Sequence, residues 1–283
     1  MSLIYTIPTT VYKTIIIHRP SKVIKSPYIA DLRDPENLEH IVQGHSPALG
    51  CGGYICSGSI VYVVKSKSST SKSSYSIIGV EKDNVKVLCH PSYANLIVHE
   101  LLQKKMLSIF ENLENIQSEV VQTEYTEDIK DIDTGVIHNS EKTRFDFCGY
   151  RPCGKKVYIE VKCVPLADVF DVDTKTYKKL KKTDDLENFA IFPCGESRKA
   201  GLVSPRALKH IQTLEKLHTT YNIECHMVYI IMRPDVAYLK ISELDSTYRS
   251  AVLQARECGV NVHAYAIVYN DYNIHLHKSL NVV

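Results

Sequence analysis

The pattern of the chain changes near Ser92, and this change constrains the fold more than any other feature of the sequence. Before it, short segments rich in Val, Ile and Tyr follow one another, and turn residues separate them without an intervening helix. These segments are residues 12–18, 59–65, 75–81 and 84–89. Successive short strands of this kind form a small barrel or a sandwich. We predict an OB-like β-barrel domain over residues 1–91.

After Ser92, helical and strand patterns alternate along the chain. Apolar residues recur at helical spacing over residues 93–112, 204–221 and 241–258. Predicted strands lie at residues 118–124, 144–150, 156–164, 189–192, 226–232 and 260–269. The charged segments 128–141 and 168–188 have no such pattern and are predicted to be loops. The alternation predicts an α/β (α+β) domain over residues 92–283, with a mixed sheet flanked by helices.

Composition excludes several classes of protein. Hydrophobic residues make up 44% of the chain, and the formal net charge of +2 excludes a histone-like basic protein. No apolar run reaches the roughly 18 residues needed to span a bilayer, and residues 1–17 lack the order of a secretion signal. The nine cysteines are an odd number, so we expect reduced thiols. We therefore expect a cytoplasmic or otherwise intracellular protein with no membrane partner.

Three residues on two consecutive predicted strands carry the main chemical prediction. Glu160 and Lys162 alternate with Val161 and so point to the same face of their strand. A hairpin through the turn at residues 151–154 can set Asp146 beside Glu160. Two adjacent carboxylates repel unless a cation neutralises them, and hard oxygen ligands suit Mg²⁺ or Mn²⁺. With the ammonium of Lys162, this set would suffice for phosphodiester hydrolysis.

The same triplet also has a plain structural interpretation. A Glu-x-Lys sequence arises by chance about once in a chain of this size. Such residues are usually neighbours across strands on a solvated sheet face. The spacing of Asp146, Glu160 and Lys162 therefore leaves both interpretations open.

Five further residues are candidates for contact with a nucleic acid or its reacting phosphate. His210, on the predicted helix 204–221, could donate to a phosphate or act as a general acid. Its alternative is a partly buried histidine bonded to a backbone carbonyl. Four basic residues could pair with phosphates, the alternative being a solvated surface. They are Arg144 on the strand of Asp146, Arg206 and Lys209 on the helix, and Lys72 in the polar stretch 66–74.

An ordered series of short motifs resembles the sugar fermentation stimulation protein A (SfsA) family. Its later part contains Arg144-Phe145-Asp146-Phe147, Tyr158-Ile159-Glu160-Val161-Lys162, Phe192-Pro193, Arg206-Ala207-Leu208-Lys209-His210, Met232-Arg233-Pro234-Asp235 and Cys258-Gly259-Val260-Asn261-Val262. Its earlier part contains His45-Ser46-Pro47 with Gly50, Gly58, Lys72 with Tyr75, and Asn95-Leu96-Ile97-Val98 with Glu100. The chain departs from the family pattern at Cys194, where Asp is usual, and at Ala207, where Gly is usual.

The resemblance implies an OB-like domain followed by a domain of the PD-(D/E)XK nuclease (restriction-endonuclease-like) type. It places the nuclease motif on Asp146, Glu160 and Lys162, with Asp146 and Glu160 as metal ligands. It implies binding to nucleic acid, DNA rather than RNA, with Mg²⁺- or Mn²⁺-dependent hydrolysis of phosphodiesters. The alternative is a DNA-binding regulator without catalysis, for which the family suggests a role in sugar (maltose) metabolism.

Overall fold

A computed structural model describes residues 1–48, 51, 53–66, 72–124, 128–130, 137–139, 142–183, 185–194, 198–270 and 272–283, with backbone alone for 128–130 and 137–139. The helices are α1 (Ser92–Gln103), α2 (Thr174–Tyr177), α3 (Pro205–Tyr221) and α4 (Ser246–Glu257), and a 3₁₀ turn covers Ser108–Phe110. The strands are β1 (Ser2–Thr6), β2 (Tyr12–His18), β3 (Ile29–Arg33), β4 (Ile41–His45), β5 (Ile60–Lys65), β6 (Tyr75–Lys82), β7 (Val85–Leu88), β8 (Glu114–Val121), β9 (Asp128–Lys130), β10 (Ile137–Asn139), β11 (Arg144–Tyr150), β12 (Lys156–Val164), β13 (Ala167–Asp168), β14 (Phe189–Phe192), β15 (Glu224–Ile231), β16 (Leu239–Ile241), β17 (Asn261–Asn270) and β18 (Asn273–Leu280).

The first part of the chain folds into the predicted OB-like barrel. Its strands follow the order β4-β3-β2-β5-β6-β7, and β4 also pairs with β6 and closes five strands into a barrel. A Cβ atom at Gly44 on β4 would lie 2.4 Å from Cδ1 of Leu32 on the neighbouring strand β3. A larger residue at this position would therefore require the buried Leu32 side chain to shift. Strands β3 and β4 lie between the predicted strands 12–18 and 59–65, in a part of the chain where the sequence patterns predicted no strand.

The second part is the predicted mixed sheet with helices on its faces. Seven strands follow the order β1-β18-β17-β15-β12-β11-β8. The β12–β15 and β15–β17 pairs are parallel, and the other pairs are antiparallel. On one face, α1 and the barrel share a core that includes Ile97 and Val228. On the other face, α3 and α4 pack on a second core that includes Leu214, Val252 and Tyr229. The predicted fold class is confirmed.

Strand β1 joins the large sheet, although it precedes the barrel in the chain. It pairs with β18, so the first and last strands are neighbours at one edge of the sheet. The barrel is thus inserted between β1 and the remaining strands of that sheet. The predicted boundary at residue 92 separates the barrel strands β2–β7 from strands β8–β18. Strand β1 precedes this boundary in the chain, but it belongs to the seven-stranded sheet.

A buried arginine connects the barrel to the second domain. Arg233 bonds the carboxylate of Asp235 at 2.6 Å from both Nε and Nη2. Its Nη1 donates to the Tyr54 hydroxyl of the barrel at 3.0 Å, and that hydroxyl also donates to the Ala167 carbonyl at 2.8 Å. The buried guanidinium is therefore paired with a charge and hydrogen bonded, as its desolvation requires.

The two segments predicted to be loops contain regular structure. The segment 168–188 begins in β13 and includes α2, which Asp173 caps through its carboxylate. Asp168 is buried and accepts hydrogen bonds from Lys182 and Arg198. Charged residues thus stabilise this segment, although they interrupt the apolar pattern that would have predicted regular structure. In the segment 128–141, the described backbone forms a hairpin of β9 and β10.

None of the helices in the described ranges has the length and apolar character needed to cross a bilayer.

Candidate catalytic site

Strand β12 brings Glu160 and Lys162 into direct contact. Their side chains share one face of the strand, and Lys162 Nζ donates to Glu160 Oε1 at 2.5 Å. Only 4% of the Glu160 side chain and 11% of the Lys162 side chain are exposed. The pair is therefore largely removed from water, which excludes the interpretation of a solvated sheet face.

Helix α3 adds His210 to this pair. Ser204 caps the helix by accepting a bond from the Ala207 amide, and Pro205 occupies its first turn, as the sequence predicted. His210 is buried, and its Nδ1 lies within hydrogen-bond distance of Glu160 Oε1. The expected alternative, a bond to a backbone carbonyl, is wrong because the partner is a carboxylate. In this position His210 orients Glu160.

Asp146 lies where the β11–β12 ladder ends. The last register pair is Phe147 with Ile159, and beyond it Asp146 Oδ2 accepts a bond from the Val161 amide at 2.7 Å. Its Oδ1 accepts a bond from Asn95 Nδ2 at 2.6 Å. The carboxylate thus replaces a backbone acceptor in the ladder while facing α1.

Asn95 has a role that sequence analysis missed. On the sequence alone, Asn95 and Ser92, near the start of the helical pattern 93–112, are both candidates for the N-cap of α1. The helix instead has Pro91 at its N-cap position with no side-chain cap, and the Asn95 amide bonds Asp146. The motif Asn95-Leu96-Ile97-Val98 was the one sequence signal for this role, but the helical pattern around it favoured the interpretation of Asn95 as a helix cap.

The electrostatic environments of the two carboxylates differ. Burial raises the pKa of Asp146 to about 6, and the negative charge of Glu160 adds to this effect. For Glu160, burial also acts to raise the pKa, but the hydrogen bond with His210 and the charge of Lys162 outweigh it and lower the pKa.

One oxygen of Glu160 indicates that the site can hold a cation. Glu160 Oε2 is buried and has no hydrogen-bond partner, and it is the one carboxylate oxygen in that state within the described residues. A buried unsatisfied oxygen is costly, and a divalent cation would satisfy it. Together, Glu160 and Asp146 offer the oxygen ligands that Mg²⁺ or Mn²⁺ prefers.

The protein supplies few ligands to such a cation. Across the described part of the chain, no three His, Cys, Asp or Glu side chains are arranged to hold a metal ion. Both oxygens of Asp146 already accept one hydrogen bond, which leaves each a second lone pair. Two carboxylates fit Mg²⁺, which commonly keeps several waters and takes its other ligands from a phosphate.

The four basic candidates lie outside this buried cluster. Arg144 is exposed and has Glu119 as a neighbour at 3.9 Å, so it does not pair with a carboxylate of the site. Arg206 and Lys209 are exposed on α3, the helix that carries His210. Lys72 is exposed in the barrel and lines a cavity there.

Two tyrosines beneath the cluster were also missed. The hydroxyls of Tyr229 on β15 and Tyr248 on α4 are bonded at 2.6 Å and are fully buried. Burial raises both pKa values, and the charge of Glu160 contributes. Tyrosines in an apolar strand or helix pattern read as core residues, so no signal in the sequence distinguished them.

Comparison with known proteins agrees with this architecture. Residues 181–273 match the family model of the Sugar fermentation stimulation protein RE domain. A solved structure of Pyrococcus furiosus SfsA in complex with Ca²⁺ matches with a TM-score of 0.72 and 17% identity, covering 100% of both chains. At that identity the likeness concerns the fold. No curated protein sequence matches the chain. The chain therefore shares its fold with an SfsA protein over its full length, and its residues 181–273 are similar to the RE domain of the SfsA family.

Proposed function

We propose that the protein binds nucleic acid, DNA in preference to RNA, and hydrolyses phosphodiester bonds with the help of Mg²⁺ or Mn²⁺ inside the cell. The observation that carries this proposal is the buried Glu160, whose Oε1 contacts Lys162 and His210 and whose Oε2 has no partner. A structural ion pair would leave no such oxygen, whereas a cation-binding carboxylate needs one.

Divalent-cation binding is supported by the chemistry of the two carboxylates. Asp146 is held by Asn95 and the Val161 amide, and Glu160 by Lys162 and His210, so both are oriented before any ligand arrives. Asp146 and Glu160 would hold the cation through their carboxylate oxygens. The Pyrococcus furiosus SfsA structure contains Ca²⁺, another cation that prefers oxygen ligands.

The chain's own residues have separate tasks in the reaction. When bound, the cation would supply a water of lowered pKa and stabilise charge on a phosphoryl oxygen. The amino group of Lys162, which is 11% exposed, would lie beside the place where negative charge develops on the phosphate. His210 fixes the orientation of Glu160 through Nδ1. The burial of the cluster strengthens each of these interactions because water screens them less.

Exposed cations on the same helix extend the site toward a longer substrate. Arg206 and Lys209 lie on the solvent side of α3, and His210 lies on its buried side. A polyanion that reaches Glu160 would pass these two residues, whose contacts with phosphates position a strand without reading its sequence. Lys72 would make the equivalent contact from the barrel.

A second function is favoured by the state of Asp146. Both of its oxygens carry a hydrogen bond, and no third acidic or imidazole ligand joins the pair among the described residues. These facts suit a DNA-binding protein without catalysis, in which Asp146 stabilises the end of the strand pair. The proposed role in sugar (maltose) metabolism belongs with this alternative and is suggested by the family alone.

Metal-dependent cleavage by site variants separates the two functions. With Mg²⁺ or Mn²⁺ we expect the wild type to degrade DNA, and Asp146→Ala or Lys162→Ala to lower the rate at least about 100-fold. Calorimetric titration with Mn²⁺ should show binding that Glu160→Ala removes. Lys25→Ala is the control, because Lys25 is exposed on the barrel and lies outside the cluster. Unchanged cleavage in both site variants would refute the assignment. Salt-sensitive DNA binding without cleavage would support the second function.

A further inference from the structure

A cavity lies at the junction of three elements, away from Glu160. It has a volume of about 860 Å³ and is lined by residues of the barrel, of the chain around the end of β1, and of the start of α1. Its size falls within the range of small-molecule sites, which runs from about 300 to 1,000 Å³.

Rings and apolar side chains form most of its wall. Tyr93 and His90 meet edge to face with ring centroids 6.0 Å apart, and Tyr5 and His45 also line the cavity. Ser92 bonds His90 Nδ1 at 2.8 Å, so Nε2 is the imidazole nitrogen that a ligand would meet. A flat aromatic group could stack on one of these rings while a polar edge reaches the imidazoles.

The charged lining of the cavity has one sign. Lys65 and Lys72 are its charged residues, and none of the described residues that line it is acidic. Lys65 already contacts Glu36 at 2.8 Å, so Lys72 is the more effective cation. A cavity with a ring-lined interior and a cation at its edge complements a ligand with an aromatic body and an anionic group.

We propose that this cavity binds one nucleotide, with its base against Tyr93 and His90 and its phosphate near Lys72. A base supplies the flat polar body and a phosphate supplies the anion. The nucleotide is either free or part of a strand. In the second case the proposal deepens the proposed function and rests on it.

Helix α1 connects the cavity with the catalytic site. Ser92, Tyr93 and Leu96 face the cavity, whereas Asn95 in the same turns bonds Asp146. Ser92 and Asn95 are roughly 5 Å apart along the helix axis, given the rise per residue. A nucleotide held in the cavity would therefore place its neighbours along the strand near the carboxylates.

Direct binding measurements test this proposal without any cleavage. The probes are the common nucleoside 5′-monophosphates and a fluorescent single-stranded oligothymidylate, each titrated without divalent cations. Inorganic phosphate is the control for phosphate binding alone. We expect nucleotide to bind more tightly than phosphate, because phosphate cannot use the rings.

Two variants identify the cavity as the place of binding. Tyr93→Leu should weaken nucleotide binding by roughly 5- to 100-fold through loss of stacking. Lys72→Ala, an exposed substitution that leaves folding intact, should weaken it several-fold and reduce the salt dependence by about one charge. Lys25→Ala is the matched control, since Lys25 is exposed on the barrel but does not line the cavity. It should bind as the wild type does.

The outcomes separate this proposal from the proposed function. Asp146→Asn should bind the nucleotide as the wild type does, even if cleavage is lost. Competition between mononucleotide and oligonucleotide would assign the cavity to a strand, and mononucleotide binding without competition would assign it to a free nucleotide. Failure of every nucleotide to bind better than phosphate, or equal binding by the wild type, Tyr93→Leu and Lys72→Ala, would overturn the proposal.

Discussion

Two glutamates on neighbouring strands, the buried Glu160 and the half-buried Glu224, have different hydrogen-bonding environments. Glu160 on β12 faces α3, and Glu224 at the start of β15 faces the core that contains Phe110. The strands are parallel partners, with Glu160 beside Met227 and Glu224 beside Val157 in the register. Each glutamate contacts a basic residue and a histidine. Charge composition alone therefore does not distinguish them.

The cluster around Glu224 is closed. Arg151 Nε donates to both carboxylate oxygens at 3.0 and 3.2 Å, and His226 Nε2 lies 2.8 Å from Oε1. His226 Nδ1 in turn lies 3.0 Å from His263 Nε2, and Phe110 packs against both imidazoles. The bonds to His226 and Arg151 lower the pKa of Glu224 to about 2.

The cluster around Glu160 is open, because Oε2 has no partner. Completed hydrogen bonding characterises a cluster that holds the fold together. A buried carboxylate oxygen without a partner is instead available to a ligand. Whether each buried polar atom has a hydrogen-bond partner is therefore a better guide to function here than the presence of charged residues.

Removal of Glu224 should have the largest effect on stability. In Glu224→Ala, the Arg151 guanidinium and His226 lose their partner, and we expect the free energy of unfolding to fall by about 2 to 4 kcal/mol. Chemical denaturation at pH 7.5 measures this change, with the exposed Glu257→Ala as control. Equal stability of the two variants would show that the cluster is not structural.

The histidine pair should make the closed cluster sensitive to acid. Burial lowers the pKa of His263 to about 4, with a contribution from the charge of His226. Burial lowers the pKa of His226 as well, and it outweighs the hydrogen bond to the Glu224 carboxylate, which acts to raise this pKa. An unfolded histidine titrates near 6.5, so the stability from the neutral pair is present above that pH and lost as pH falls toward 4.

The expected loss over that range is on the order of 2 to 3 kcal/mol. Denaturation curves between pH 7 and pH 4.5 would reveal it, and His263→Asn should flatten the dependence because the amide does not titrate. A variant with the slope of the wild type would place the acid sensitivity elsewhere.

Neutralising Asp146 beside the open cluster should increase the stability of the protein, and this effect should be the smallest of the three. The folded-state pKa of Asp146 is raised to about 6, so ionisation of Asp146 reduces stability as pH rises from 3.8 through 6. Asp146→Asn removes this cost, and we expect it to stabilise the cation-free protein at pH 7.5 by about 1 kcal/mol. The gain should be smaller at pH 5, where Asp146 in the wild type is largely protonated. Thermal melts in EDTA would test this, and destabilisation at pH 7.5 would contradict the comparison.

Local patterns predicted the strands that carry the site. The predicted ranges 144–150, 156–164 and 189–192 agree with β11, β12 and β14, and Ser204 caps α3 as expected. Strong alternation and turn residues bound these elements, so neighbouring residues suffice to define them. The contact of Glu160 with Lys162 follows directly from their spacing.

Contacts between distant parts of the chain were beyond these patterns. Strand β1 pairs with β18, although nearly the whole chain separates them in the sequence. Asn95 on α1 donates a hydrogen bond to Asp146 on β11. Strands β3 and β4 are short and lack a long apolar run, and they are defined by their pairing with each other and by the pairing of β4 with β6. The closed state of Glu224 likewise depends on Arg151 and His263, which no local spacing connects with it.

The pairing of β1 with β18 gives the barrel two covalent attachments to the sheet. The chain enters the barrel through residues 7–11 and leaves it through residues 89–91. Two attachments restrict movement of the barrel relative to the sheet more than a single attachment would. Residues of both attachments, Ile7 and His90 among them, line the cavity. An occupant of the cavity would therefore contact both covalent connections between the barrel and the sheet.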